Sequence, residues 1–190
     1  MWYNKSMKYK TRKYPQFSAC GLNCGLCPRY YTDGPSRCPG CAGEGFTSAH
    51  CGCGMLSCCQ RKGLEYCFEC DEFPCPKYNG VDSSDSFITH INQFTDMEKA
   101  KKIGTATYEA ELNEKIKILE HLLENYNDGR KKSIFCLAVN LLDLQNLKAI
   151  MKQLADTTTT ETPIKEKAAE AAKLFNESAE KKGVTLKLRK

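Results

Sequence analysis

The chain has 190 residues, a formal charge of +5 and a hydrophobic content of 41%, which suits one ordinary domain with a small satellite. No stretch approaches the eighteen or so consecutive apolar residues of a membrane span. Residues 1–19 contain no apolar run that could form the core of a signal peptide. We therefore expect a cytoplasmic protein with no membrane partner.

Residues 1–19 are predicted to be a basic N-terminal arm, poorly ordered as far as Phe17. The arm has no acidic residue and carries Lys5, Lys8, Lys10, Arg12 and Lys13. Such a segment could bind nucleic acid through phosphate groups. The net charge of the chain gives this alternative little support, because twelve thiolates on three divalent ions would lower it to about −1.

Residues 20–80 are predicted to be a cysteine-rich metal-binding module built of loops and turns. Twelve of the thirteen cysteines lie between Cys20 and Cys75, most of them in short-spaced groups. Two thiolates two residues apart can bind one metal ion from a single turn. Thiols stay reduced in the cytoplasm, so metal binding is favoured over a disulfide framework. Metal would also stabilise a segment that has few long aliphatic side chains.

Zinc and iron–sulfur remain the two candidate cofactors. The sequence Cys38-Pro-Gly-Cys41 resembles a zinc-ribbon knuckle and favours zinc. The spacing Cys20-x3-Cys24-x2-Cys27 is that of radical S-adenosylmethionine enzymes and, with three Cys-Pro steps, favours iron. No alternation of strands and helices follows, so radical chemistry is not expected. Both centres accept four thiolates; zinc is placed first and an iron–sulfur cluster second.

Residues 81–156 are predicted to be a helical domain. The first helix follows a cap-like sequence at 83–85, with apolar residues at helical spacing: Phe87, Ile91, Phe94 and Met97. A second helix is predicted over residues 107–127. The apolar run 134–142 suits a buried helix or strand, and its helical neighbours favour a helix. A fourth helix has a face of Leu144, Leu147, Ile150, Met151 and Leu154.

Residues 157–190 are predicted to be a linker, a helix and a short C-terminal strand. Threonines form the linker, and the helix begins at Thr162-Pro163 and ends at Gly183. Apolar and polar residues then alternate from Val184 to Arg189, as in a half-buried strand. The expected fold is therefore α-helical with minor β: an irregular, metal-stabilised cysteine-rich module packed on a small helical domain.

The cysteine string resembles one known family. It reads Cys20-Gly-Leu-Asn-Cys24-Gly-Leu-Cys27-Pro28, then Cys38-x2-Cys41, Cys53-x4-Cys58, Lys62-Gly63 and Cys67-x2-Cys70-x2-Phe73-Pro74-Cys75. Over about sixty residues this is similar to the cysteine-rich prokaryotic proteins grouped as domain of unknown function 3795. The resemblance implies a metal-binding module, taken to hold zinc, with no established activity.

The metal ligands that the resemblance implies are Cys20, Cys24, Cys27, Cys38, Cys41, Cys53, Cys58, Cys67, Cys70 and Cys75. Cys51 and Cys59 do not fit the family pattern and are kept as additional candidates, together with His50 beside them. Two complete metal sites with spare thiols are therefore expected.

The sequence contains no phosphate-binding Gly-rich loop, no HExxH motif and no catalytic constellation of carboxylates. A non-enzymatic, zinc-stabilised binding or structural module acting through an unknown protein partner is the leading interpretation. An iron–sulfur electron carrier or redox sensor is the first alternative. An enzyme with a thiolate nucleophile and a nucleic-acid-binding protein are two others.

Overall fold

The computed structural model describes residues 9–190, and its framework is helical. The α-helices are α1 (Phe46–Ala49), α2 (Gly54–Lys62), α3 (Gln93–Ile103), α4 (Thr105–Asn125), α5 (Lys132–Leu141), α6 (Leu144–Thr157) and α7 (Ile164–Lys181). Short 3₁₀-helices join the cysteines: Cys24–Leu26, Pro28–Tyr31, Gly34–Ser36, Cys67–Glu69 and Pro76–Tyr78. The predicted α-helical fold is confirmed.

The helical body is organised around α4, which packs against α3, α5 and α6, while α7 covers α5 and α6. Fully buried apolar side chains from these helices meet in one core: Leu112, Leu119, Phe135, Leu147 and Phe175. Burial of one such side chain contributes about 1.5–3 kcal/mol. At the start of α6 the Asp143 carboxylate accepts a hydrogen bond from the Asn146 amide at 2.9 Å, which caps the helix.

The apolar run 134–142 lies in α5 and is a helix, as predicted. Six consecutive residues of this helix, from Phe135 to Asn140, are buried. A helix enclosed on all sides has no polar face, and its sequence therefore resembles that of a buried strand.

The first predicted helix is wrong at its beginning. Helix α3 begins at Gln93, and Phe87 and Ile91 precede it with 63% and 44% of their surface exposed. Asp85 caps no helix. Its carboxylate accepts a hydrogen bond from the His90 amide at 2.8 Å and thereby shapes the loop before α3.

The short C-terminal strand predicted after Gly183 is not formed, since residues 9–190 contain no β-strand. The segment 184–190 instead runs beside the loop that contains Asp85. The Asp85 amide donates to the Arg189 carbonyl at 3.0 Å, and the Arg189 guanidinium donates to the Asp85 carboxylate at 2.8 Å. The alternation in the sequence therefore reflects one half-buried face without a partner strand.

The cysteine segment shares its core with the helical body. Its aromatic and aliphatic side chains belong to the same buried cluster as α3–α7: Phe17, Leu26, Tyr66, Phe68 and Tyr78. Aromatic residues thus replace the long aliphatic ones that the segment lacks. A smaller buried cluster around Leu56 and Cys59 lies within the cysteine segment itself.

A buried polar network also joins the two parts of the chain. The Asn23 side-chain amide donates to Asp96 of α3 at 2.7 Å and to Asn140 of α5 at 3.0 Å. The Tyr108 hydroxyl of α4 donates to the Asn23 carbonyl oxygen at 2.9 Å. One asparagine beside Cys24 therefore fixes the cysteine segment against three helices.

Residues 9–17 are packed against the cysteine segment, so the predicted poor order as far as Phe17 is wrong for them. Arg12 is 6% exposed and donates hydrogen bonds to the Phe17 carbonyl at 2.6 Å and to Glu65 at 2.8 Å. Lys5 and Lys8 of the predicted arm lie outside the described residues. None of the helices in the part of the chain described here is long and apolar enough to cross a membrane.

Candidate metal centre

Five cysteine side chains line one small cavity of about 50 Å³: Cys58, Cys59, Cys67, Cys70 and Cys75. Met55, Leu64, Phe73 and Tyr78 form its apolar and aromatic walls, and Lys62, Glu72 and Lys77 complete the lining. We call it the thiol cavity. Cys59, which does not fit the family spacing, is among its members.

The local backbone explains how these cysteines converge. Helix α2 carries Cys58 and Cys59 and ends at Gly63, whose φ of 72° reverses the chain. The 3₁₀-helix Cys67–Glu69 follows, and the Cys70 amide donates to the Cys67 carbonyl at 3.1 Å, so two cysteines flank one tight turn. This is the geometry expected of a two-residue cysteine spacing.

The closest pair of thiols is Cys59 and Cys67, whose sulfur atoms lie 3.3 Å apart. The hydrogen bond between them lowers the pKa of Cys67 to about 7, although burial opposes the shift. The same hydrogen bond, together with burial, raises the pKa of Cys59. The hydrogen bond therefore favours a thiolate at Cys67 and a thiol at Cys59.

A lysine faces the thiol cavity from α2. The Lys62 ammonium donates to the Cys70 sulfur at 3.2 Å and to the Glu72 carboxylate at 3.0 Å. Lys62 therefore brings a positive charge to the edge of the thiol cavity.

A second group of thiols comprises Cys20, Cys24, Cys41 and Cys53. Burial raises the pKa of Cys20 to about 12, and the nearby charges of Cys41 and Cys53 add to this shift. Burial likewise raises the pKa of Cys24, with the charges of Cys41 and Cys20 as the next causes. Cys24, Cys41 and Cys53 also share the smaller buried cluster that contains Leu56. The Ser18 hydroxyl lies 3.2 Å from the Cys20 sulfur.

Arg12 provides a positive charge for this second group. Burial raises the pKa of the Cys41 thiol, and the nearby Arg12 guanidinium offsets part of that shift. One guanidinium nitrogen, Nη2, is buried without a hydrogen-bond partner. The guanidinium also lies 4.8 Å from the centre of the Tyr66 ring.

Near these cysteines, glycine is required at two positions where neighbouring atoms leave no room for a Cβ atom. Gly21 has a φ of 93°, and a Cβ atom there would lie 2.5 Å from the Met97 Cγ atom. Gly40 has a φ of 85°, and its Cβ atom would lie 2.5 Å from the Pro15 carbonyl oxygen. Side chains at these positions would push the cysteine loops away from α3 and from the N-terminal residues.

The remaining predicted ligands are Cys27, Cys38, Cys51 and His50. Cys27 and Cys38 lie at the edge of the second group, where each influences Cys24. Cys51 and His50 are exposed; the His50 ring stacks on Phe46, and its Nδ1 atom lies 2.7 Å from the Cys51 carbonyl oxygen.

As the side chains stand, no group of three or more His, Cys, Asp or Glu within residues 9–190 is arranged to hold a metal ion. The structure therefore brings predicted ligands to one cavity without closing them around an ion. The thirteenth cysteine, Cys136, is buried in α5.

Sequence reasoning missed three side chains that surround the thiols: Arg12, Lys62 and Tyr78. Arg12 was grouped with the basic arm, since nothing in its neighbours distinguishes a buried arginine from a solvated one. Lys62 was noticed only as part of the family string. The Tyr78 hydroxyl, which donates to the Cys20 carbonyl at 3.3 Å, had no signal in the sequence.

Comparison with known proteins gives one match. No curated protein and no solved structure matches the chain. A family model does match, over about a third of the chain, and it covers all five cysteines of the thiol cavity and the four of the second group. The resemblance inferred from the cysteine string is thereby confirmed: residues 16–80 match the family described as "Protein of unknown function (DUF3795)".

Proposed function

We propose that residues 20–75 bind metal through their thiols, that the thiol cavity is the principal centre and that zinc is its metal. The observation that carries the proposal is the convergence of five thiols on one cavity, with two sulfur atoms 3.3 Å apart. In the absence of metal, so many thiols around one small space would have no evident function.

The residues fit zinc in their chemistry. Zinc takes four thiolates at about 2.3 Å, which puts two sulfurs of one tetrahedral site about 3.8 Å apart. Cys59 and Cys67 need only a small separation to reach that distance, and Cys70 and Cys75 line the same cavity. Four thiolates and Zn²⁺ together carry about two negative charges, and Lys62 and Lys77, reduced by the paired Glu72, would offset part of them.

The role we infer is structural. Metal would stabilise a segment rich in loops, because the binding free energy of a structural zinc adds to the free energy of folding. In this interpretation the protein is not an enzyme; it acts in the cytoplasm and presents the ordered loops to a protein partner. The basic arm remains a weaker candidate for nucleic acid, since the Arg12 guanidinium is buried and donates to Glu65 and to the Phe17 carbonyl.

An iron–sulfur cluster is the second candidate, and the cavity itself favours it. Four of the five thiols could ligate an iron–sulfur cluster as readily as a zinc ion. The apolar wall of Met55, Leu64 and Phe73 would shield such a cluster from water. Its function would be electron transfer or redox sensing.

Elemental analysis of protein purified without oxygen tests both candidates. Stoichiometric zinc in a colourless sample supports the first. A brown sample that dithionite bleaches supports the second. Fully reduced protein that contains neither zinc nor iron, yet keeps residues 20–75 protected from hydrogen exchange, would overturn the proposal. A Cys51→Ser variant is the matched control, because Cys51 is exposed and lies outside the thiol cavity.

A further inference from the structure

A second and larger cavity lies away from the thiol cavity, and we propose that it binds an organic anion with an apolar chain, such as a medium-chain carboxylate. The volume of this cavity is about 530 Å³. It is enclosed by the 3₁₀ region of the cysteine segment, the loop 86–89, α5 and the C-terminal residues. Small-molecule pockets typically measure about 300–1,000 Å³.

Apolar side chains from all four segments form the inner wall: Leu26, Ile88, Ile134, Leu137, Leu186 and Leu188. Leu26, Ile88 and Leu137 are nearly inaccessible to water, with exposures of 1%, 7% and 7%. An apolar chain that enters would remove further apolar surface from water at about 25 cal/mol per Å². The wall therefore selects the body of the ligand.

Two cations in the lining select its head group: Arg130 and Lys187. In the described part of the chain neither of them forms an ion pair, and no aspartate or glutamate lines the cavity. The nearest carboxylate along the loop, Asp85, is already bound to Arg189. The positive charge is thus free to meet an anion.

The start of α5 adds to this field. Arg130 and Ser133, which line the cavity, flank the first residue of the helix, Lys132. The N-cap residue Lys131 provides no side-chain cap, and the first turn contains no acidic residue. The amino end of a ten-residue helix carries partial positive charge, so the helix reinforces the preference for an anion.

The rim of the cavity contains an exposed aromatic ring. Phe87 is 63% exposed, and the Arg29 guanidinium lies 4.8 Å from the centre of its ring. An apolar ligand that protrudes from the cavity would cover this ring. The exposure of Phe87, which is otherwise unfavourable, is therefore accounted for.

Methyl NMR of the full-length protein tests the proposal with three ligands of equal chain length: decanoate, decanol and decyltrimethylammonium. Decanoate should shift the methyl signals of Ile88, Ile134 and Leu137 and leave the remote, exposed Ile164 unchanged. Decanol should bind at least about tenfold more weakly, and decyltrimethylammonium should not bind. Equal affinity for decanoate and decanol, no shift with decanoate, or equal shifts at Ile164 would each overturn the proposal.

Variants separate the head group from the chain. Arg130→Glu and Lys187→Glu, both at exposed residues, should weaken decanoate about tenfold and leave decanol unaffected, because only the charge is changed. Lys165→Glu on α7 is the matched control, with the same charge change at an exposed site outside the cavity. An equal loss in the control would mean that net charge alone governs binding, and the proposal would fail.

Discussion

The sulfur atoms of Cys59 and Cys67 lie 3.3 Å apart, although α2 carries the first and the next 3₁₀-helix begins with the second. Eight residues separate them in the chain, and Gly63 turns the backbone between them. The pair couples two local structures that the sequence presents as independent. Its removal should therefore affect metal content and local stability together.

The first prediction concerns this pair. Cys67→Ser should abolish metal binding at the thiol cavity, because a hydroxyl is a poor substitute for a thiolate on zinc or iron. Cys51→Ser should retain the wild-type metal content. The measurement is metal per protein by elemental analysis after purification without oxygen. Equal metal content in the two variants would exclude Cys67 as a ligand.

The second prediction concerns metal removal. A strong chelator should abolish hydrogen-exchange protection in residues 20–75 and leave α4–α7 largely protected, because the core of those helices is apolar. Far-UV circular dichroism should decrease only in part, since most of the α-helix lies outside the cysteine segment. Unchanged protection throughout, after proven loss of metal, would contradict a structural metal.

The third prediction concerns Asp96. Burial raises the pKa of its carboxyl to about 6, partly offset by Lys115 and by the Asn23 hydrogen bond. The folded protein therefore holds this proton more tightly than the unfolded chain, whose value is about 3.9. The contribution of Asp96 to the free energy of unfolding should decrease by about 2–3 kcal/mol as the pH rises from 4 to 6.

Urea unfolding of the wild type and of Asp96→Asn across this pH range provides the measurement. The variant lacks the titrating carboxyl, so its stability relative to the wild type should improve as the pH rises. Loss of metal at low pH affects both proteins alike and cancels in the difference. Parallel curves for the two proteins would mean that Asp96 titrates normally.

The fourth prediction concerns Arg12. Arg12→Met keeps the apolar stem of the side chain but leaves the buried Phe17 carbonyl without the hydrogen bond that Arg12 donates. We expect a loss of about 2 kcal/mol in the free energy of unfolding. Lys13→Met, at an exposed residue one position away, should cost far less. Equal losses would show that the Arg12 network does not stabilise the fold.

Much of the helical body could be predicted from the sequence because its signals are local. The apolar spacing through Leu112, Ile116 and Leu119 locates α4, and Gly104 separates it from α3. The start of α3 was mispredicted because Phe87 and Ile91 mimic a helical face while lying exposed before the helix. The C-terminal strand was also mispredicted, because a contact distant in the chain determines the conformation of this segment. Arg189 binds Asp85, 104 positions earlier in the sequence.

The sequence predicted which cysteines belong to the candidate site, but it did not predict which of them lie together. Cysteine spacing marked the residues, but it could not join Cys59 to Cys67, because that contact depends on where the chain turns at Gly63. Cysteine spacing also could not predict that Arg12 lies near Cys41, because the two residues are distant in the sequence. Arg12, Lys62 and Tyr78, which surround the thiols, come from distant parts of the chain. Only the folded backbone determines which of them meet.

The shared aromatic core has a practical consequence for anyone who wishes to isolate the part of the chain that matches the family. A fragment cut at its boundaries would lay bare Phe17, Leu26 and Phe68, together with the asparagine that α3–α5 enclose. Such a fragment should aggregate or require detergent to stay in solution, whether or not metal is bound. Dissection of this protein is therefore better done by point changes than by truncation.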